Sequence, residues 1–192
     1  MDVAASIEAL DTRLDGPVLI APAVFGDERG FFTESYRREG YAALGIDEEF
    51  RQDNHSRSRR GVVRGMHFMI GDGTSKLVRC ARGSILDVVV DIRRGSPTFG
   101  EWEAFELSDA NLRQAYCPIG FAHGFCVTSE VADVMYKQSA YYDGELERGF
   151  SYDDPEVGIP WPLDELTPSQ RDSSAPRLRD IEADLPFVYD GR

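Results

Sequence analysis

"VRGMHFMIGDGTSKLVRC", Val63–Cys80, sets His67 inside an apolar, strand-like run and Lys76 nine residues later, with Arg64 and Arg79 on either side. Working outward, "SKLVRCA" is followed by a turn at Arg82-Gly83 and then by "SILDVVVDI". Further on come "EWEAFEL", "QAYCPIG", "HGFCVTS" and "ADVMYKQSAYY", and upstream lies "GPVLIAPAVF". Val, Ile, Phe and Tyr enrichment with turn signals every 8–12 residues predicts a β-sandwich or barrel. Helical pattern is scarce. "ESYRREGYAALG" predicts one short helix ending at Gly45, and a second falls near "TPSQRDSSAPRLRDIE". From Tyr141 onward the chain is acidic and Pro-rich but keeps Trp161, Phe187 and Tyr189, which predicts a tail packed over the β body. The expected fold is all-β, a jelly-roll sandwich or barrel with a few short helices. The 192 residues suit one domain. Its β body would span about 20–162 and its C-terminal tail 163–192.

Charge narrows the function. The chain has a formal net charge of −13, which disfavours nucleic acid and anionic membranes as partners. Residues 51–100 run the other way, with nine Arg and Lys76 against four Asp, a balance of +6. A local basic basin in an acidic body is suited to a small anion. The N-terminal "MDVAASIEALDTRLDG" has no basic start followed by an apolar run, so no signal peptide is expected. No stretch approaches 18 apolar residues, so no membrane span is expected. Cys80, Cys117 and Cys126 are odd in number and lack CxxC spacing. That pattern argues for a reducing, cytoplasmic setting and against a zinc knuckle.

Period-2 alternation puts Arg64, Met66 and Phe68 on one face of their strand, and Gly65, His67 and Met69 on the other. Gly65 then leaves space beside His67, and a strand glycine often marks close approach of a ligand or a backbone. Taken alone, a single strand histidine is more often a core residue satisfied by a carbonyl. A metal-dependent cupin would need a second histidine two residues after His67, where Met69 stands.

Six segments change that balance. "DERGFFTESY", "QDNHSRSRRGVVRGMHF", "KLVRCARGSILDVVVDIRRGSPTFGEW", "PIGFAHGF", "YKQSAYY" and "DPEVGIPWP" occur in this order. Together they closely resemble the dTDP-4-dehydrorhamnose 3,5-epimerase family of cupin-like jelly rolls, over roughly residues 21–172. The resemblance implies inversion at C3 and C5 of dTDP-4-dehydro-6-deoxy-glucose, with no cofactor and no metal. Both carbons flank the C4 ketone, which acidifies their protons. Such chemistry needs a base on one face, an acid on the other and a cation for the enolate.

By that resemblance His67 is the base, of a type suited to neutral pH. Asp172 orients it, as a triad carboxylate would. Lys76 supplies charge for the enolate. Tyr136 is the acid. Arg64 is a phosphate ligand, which suits arginine's fork. Gln52, Asn54, His123, Tyr142 and Glu147 match substrate contacts. The Tyr141–Tyr142 doublet leaves a one-residue ambiguity. Arg29 and Glu34 match residues that reach the nucleotide base from the partner in a strand-exchanged homodimer, the exchanged region being about 17–50. His55 has no counterpart and is expected in a loop. Met69 departs from the usual Gln. Three alternatives stay open: a 3-only or 5-only epimerase, a ketoisomerase on another nucleotide 4-keto-sugar, and a non-catalytic sugar-nucleotide binding module.

Overall fold

The computed structural model describes residues 7–191; part of the stretch read for a leader, residues 1–6, lies outside them. Thirteen strands are described: β1 (Ile7–Leu10), β2 (Val18–Pro22), β3 (Val24–Asp27), β4 (Gly30–Thr33), β5 (Gln52–Arg59), β6 (Val63–Met69), β7 (Lys76–Arg82), β8 (Ser84–Asp91), β9 (Trp102–Ser108), β10 (Gln114–Cys117), β11 (Phe121–Val127), β12 (Val131–Gln138) and β13 (Glu147–Gly149). The helices are short: α1 (Arg38–Ala42), α2 (Gln170–Ser173) and α3 (Leu178–Ile181). None is long and apolar enough to cross a membrane.

Antiparallel pairing builds a six-stranded sheet, β1-β2-β10-β7-β12-β5, and a five-stranded sheet, β13-β6-β11-β8-β9. The expected all-β sandwich is the architecture observed. Alternating side chains of both sheets meet in a central core that includes Val78, Val89, Phe105, Phe125 and Val134. Each outer face has its own cover. Tyr41 and Ile46 pack on Ile20, Leu77 and Tyr116 of the six-stranded sheet. Phe150, Val157, Leu178 and Leu185 pack on Met66, Phe68, Val88 and Val90 of the five-stranded sheet. Leu178 and Leu185 come from the C-terminal segment, which crosses this face as a strap.

Four expectations need correction. First, β6 does not alternate through its length. Arg64 pairs with Phe125 and His67 with His123, so three steps on β6 match two on β11. One extra residue on β6 is a bulge, and it turns Arg64 and His67 to the same cavity. Second, the space at Gly65 is taken by backbone. A Cβ there would lie 2.5 Å from Gly124 Cα and 2.8 Å from the His123 carbonyl oxygen, so β6 and β11 approach at a contact only two glycines permit. Third, His55 lies in β5, not in a loop. Fourth, the expected helices are shorter. "ESYRREGYAALG" keeps only α1, and the C-terminal one is divided into α2 and α3, because Pro176 lacks the N–H that a continuous helix requires.

Candidate active site

At one end of the space between the sheets lies a cavity of about 440 Å³. Its two walls carry different chemistry. The five-stranded sheet contributes Arg64 and His67 from β6, His123 from β11 and Glu147 from β13. The six-stranded sheet contributes Ser56, Lys76, Tyr136 and Gln138. The strap closes the remaining side with Thr167, Pro168, Ser169, Arg171 and Asp172.

His67 Nε2 stands 2.6 Å from Asp172 Oδ1, across 105 residues of chain. Ser169 caps α2 by accepting the Asp172 N–H at 3.1 Å, which fixes the carboxylate's backbone. Burial alone would raise the Asp172 carboxyl. The hydrogen bond and charge of His67, aided by Ser169 and the Gly65 amide, outweigh it and hold the group below the usual carboxylate range. The pair therefore consists of a carboxylate aimed at an imidazole whose ring remains partly open to the cavity. That arrangement fixes the ring's orientation.

Next to it stands a second histidine–carboxylate pair. His123 Nε2 lies 2.8 Å from Asp87 Oδ1, and both side chains are buried. Among the described residues, Asp87 Oδ2 has no hydrogen-bond partner.

On the facing sheet, Lys76 is half-buried, and loss of water lowers its pKa; Cys117, Glu147 and Asp87 push it back up. Cys117, across from Lys76 on β10, is pushed up to about 12 by burial, so it stays a thiol. Tyr136 is partly buried against the central core. Desolvation raises its pKa, Glu147 and Tyr142 raise it further, and Arg64 opposes them. A phenol kept protonated through neutral pH is a proton donor.

The other sequence-predicted residues fall into two groups. Gln52, Asn54 and Tyr142 do not line the cavity but form a chain to its rim. Gln52 Nε2 donates to Asn54 Oδ1 at 2.9 Å, and Asn54 Nδ2 donates to Gln138 Oε1 at 3.1 Å. The Tyr142 N–H donates to Gln52 Oε1 at 2.8 Å, while its hydroxyl reaches Glu147 Oε2 at 3.3 Å. Tyr142 is exposed, as is Tyr141, and β12 ends at Gln138, so strand alternation does not decide between them. Arg29 and Glu34 lie at and just after the β3–β4 hairpin, paired locally with Asp27 and Arg37 and away from this cavity. Met69 is buried in register with Glu147 and is not among the residues lining the cavity.

Of the site residues that escaped the sequence reading, three bear on its chemistry. Arg171 lines the cavity and donates to Glu147; its place beside Asp172 in "PSQRD" was the available signal. Asp87 sits in a run of Val and Ile, where an acid with no positive partner in sequence is a signal in itself. Gln138 offered none. Among the described residues no three His, Cys, Asp or Glu come together in a group suited to a metal ion.

Known proteins resemble this chain in sequence and in fold. The family model described as dTDP-4-dehydrorhamnose 3,5-epimerase matches residues 11–180. The Pseudomonas aeruginosa protein of that name is 52% identical over 155 residues, covering 79% of this chain and 86% of the relative. The crystal structure of a 3,5-epimerase from Legionella pneumophila in complex with dTDP-4-keto-L-rhamnose superposes with a TM-score of 0.93 at 44% identity, covering 96% of this chain and all of that one. A 3'-monoepimerase from Streptomyces bikiniensis in complex with dTDP-quinovose gives 0.84 at 36% identity, covering 90% and 88%. On fold and sequence together, the chain belongs to the dTDP-4-dehydrorhamnose 3,5-epimerase family.

Proposed function

We propose that this protein inverts C3 and C5 of dTDP-4-dehydro-6-deoxy-glucose by proton transfer through an enolate. The observation that carries this reading is that the candidate base and acid stand on opposite sheets and line one cavity. A sugar ring seated between the sheets presents one face to His67 and the other to Tyr136. In a gluco-configured ring the hydrogens on C3 and C5 lie on the same face, so one base serves both carbons. His67, held by Asp172, takes the proton. The electron pair moves into the C4 carbonyl, and Lys76 offsets the negative charge that develops on its oxygen. Tyr136 returns a proton to the opposite face, and the centre is inverted. Both groups are then reset by exchange with water.

Arg64 is suited to the diphosphate by its fork and its place at the cavity. Arg171 joins it as a second cation beside Glu147. His123, fixed by Asp87, is placed to hydrogen-bond the sugar. Gln52, Asn54, Tyr142 and Glu147 would order the rim on which the nucleotide end lies.

The functional unit is a homodimer in this reading. Among the described residues, the β3–β4 hairpin pairs only with itself. It exposes Phe31 and Phe32 at 61% and 68%, with Val24 and Phe25 beside them. Phe25 and Phe32 pair on one face of the ribbon and Val24 and Phe31 share the other, and apolar side chains exposed on both faces mark an interaction surface. A second copy receiving the hairpin would bring Arg29 and Glu34 to its own nucleotide subsite. Three buried, unpaired cysteines support a reducing compartment, the cytoplasm.

The test is incubation with dTDP-4-dehydro-6-deoxy-glucose in D₂O, counting deuterons by NMR. Two deuterons, at C3 and C5, with inversion at both, are expected. Deuterium at C3 alone would make the protein a 3-monoepimerase, and none at either would leave a binding module.

A further inference from the structure

Asp172 is carried by the strap, not by either sheet, so something must hold the strap in register with His67. Two contacts do so, one on each side of α2. Upstream, Thr167 forms a parallel bridge with Val62. The Thr167 N–H donates to the Gly61 carbonyl at 2.8 Å, and the Val63 N–H donates to the Thr167 carbonyl at 3.2 Å. This bridge lies just ahead of both partners: His67 follows Val63 by four residues, and Asp172 follows Thr167 by five. Gly61 has φ +82°, and a Cβ there would stand 2.8 Å from the Glu165 carbonyl oxygen. That oxygen is backbone and cannot swing aside, so any side chain at 61 pushes the strap off β6. Downstream, the Ser151 N–H donates to the Pro176 carbonyl at 2.8 Å. The buried carboxylate of Asp154 accepts from the Leu178 N–H at 2.8 Å and the Glu156 N–H at 3.0 Å.

We propose that Gly61 and Asp154, neither of which touches the cavity, are positioning residues that hold Asp172 on His67 by clamping the strap on both sides of α2. This rests on the reading of His67–Asp172 as the catalytic base. A misplacement near 1 Å can cost about 10²-fold in rate, and the dyad's 2.6 Å contact leaves no slack.

The test is a double-mutant cycle in the full chain, using Gly61→Ala, Asp154→Asn, Asp172→Asn and each pair with Asp172→Asn. Gly61→Ala should lower kcat about 10²-fold. In the Asp172→Asn background the same change should cost less than about threefold, because the geometry it disturbs is already gone. General loosening of the fold would instead multiply through both backgrounds. Wild-type kcat in Gly61→Ala, or an undiminished loss in Asp172→Asn, overturns the proposal. If Gly61→Ala does not fold, Asp154→Asn, which keeps the side chain's size, is read by the same cycle with the same two outcomes. Wild-type activity in Asp172→Asn alone would remove the dyad reading, and the clamps with it.

Discussion

Burying an ammonium costs free energy in proportion to the water it loses, and Lys76 bears that cost for the sake of an oxyanion. Its folded pKa is lowered by desolvation. Below that pKa the amine is charged in both states and the folded state carries the penalty; the penalty fades as pH rises through the folded value towards the unfolded one. Lys76→Met should therefore raise Tm at neutral pH, with the gain shrinking towards pH ~10.5. The same change should lower kcat about 10²–10³-fold with little effect on dTDP binding. A rise in KM alone would make Lys76 a phosphate ligand. Tyr136 yields a sharper separation. Tyr136→Phe leaves the base and the cation in place, so it should wash solvent deuterium into substrate while inversion slows about 10²–10⁴-fold. Rapid inversion would assign the acid to another group. At this scale the sequence was informative where a residue type is chemically odd for its setting. His67 in an apolar strand and Lys76 at a strand start were visible that way. The facing of Arg64 was not, because a bulge depends on the partner strand and leaves alternation along β6 itself looking regular.

Strand β5 illustrates what element-level pattern misses. "QDNHSRSR" has no apolar residue on either face, so the period-2 hydrophobic signal is absent. The physical reason is that Asn54 and Ser56 look towards the polar rim and cavity, while Asp53, His55 and Arg57 form ion pairs outward with β12. Such charges also blunt an edge strand. Strands β7, β8 and β11 were legible because both of their faces are buried in apolar layers, and β6 because its outer face is. The β5–β12 pairing carries a pH prediction. Asp133 accepts from Arg57 at 2.6 and 2.8 Å, and that hydrogen bond, with His55, lowers its pKa to about 2. A depressed carboxylate stabilises the fold above its unfolded pKa of ~3.9, and that stability is lost as pH falls through the folded value. Asp133→Asn should lower Tm at pH 6, and the gap to wild type should close between pH ~4 and ~2. A gap that persists at pH 2 would mean that the pair acts by shape and not by charge.

For the molecule as a whole, the arrangement of sheets decides which chemistry is available, since inversion needs opposed faces and a sandwich supplies them. The prediction at this scale concerns assembly. Phe31→Ser with Phe32→Ser should convert a homodimer to a monomer in light scattering and weaken dTDP binding, since Arg29 and Glu34 travel on or beside the same hairpin. An active wild-type monomer at micromolar concentration would end the exchange reading. The backbone contact between Gly65 and Gly124 has a consequence for anyone mapping this enzyme by random mutagenesis. Neither residue has a side chain to offer a substrate, yet replacing either one forces apart the strands that carry both cavity histidines. A survival screen would rank those two glycines alongside His67, and a reader of the ranking alone would place them in the reaction.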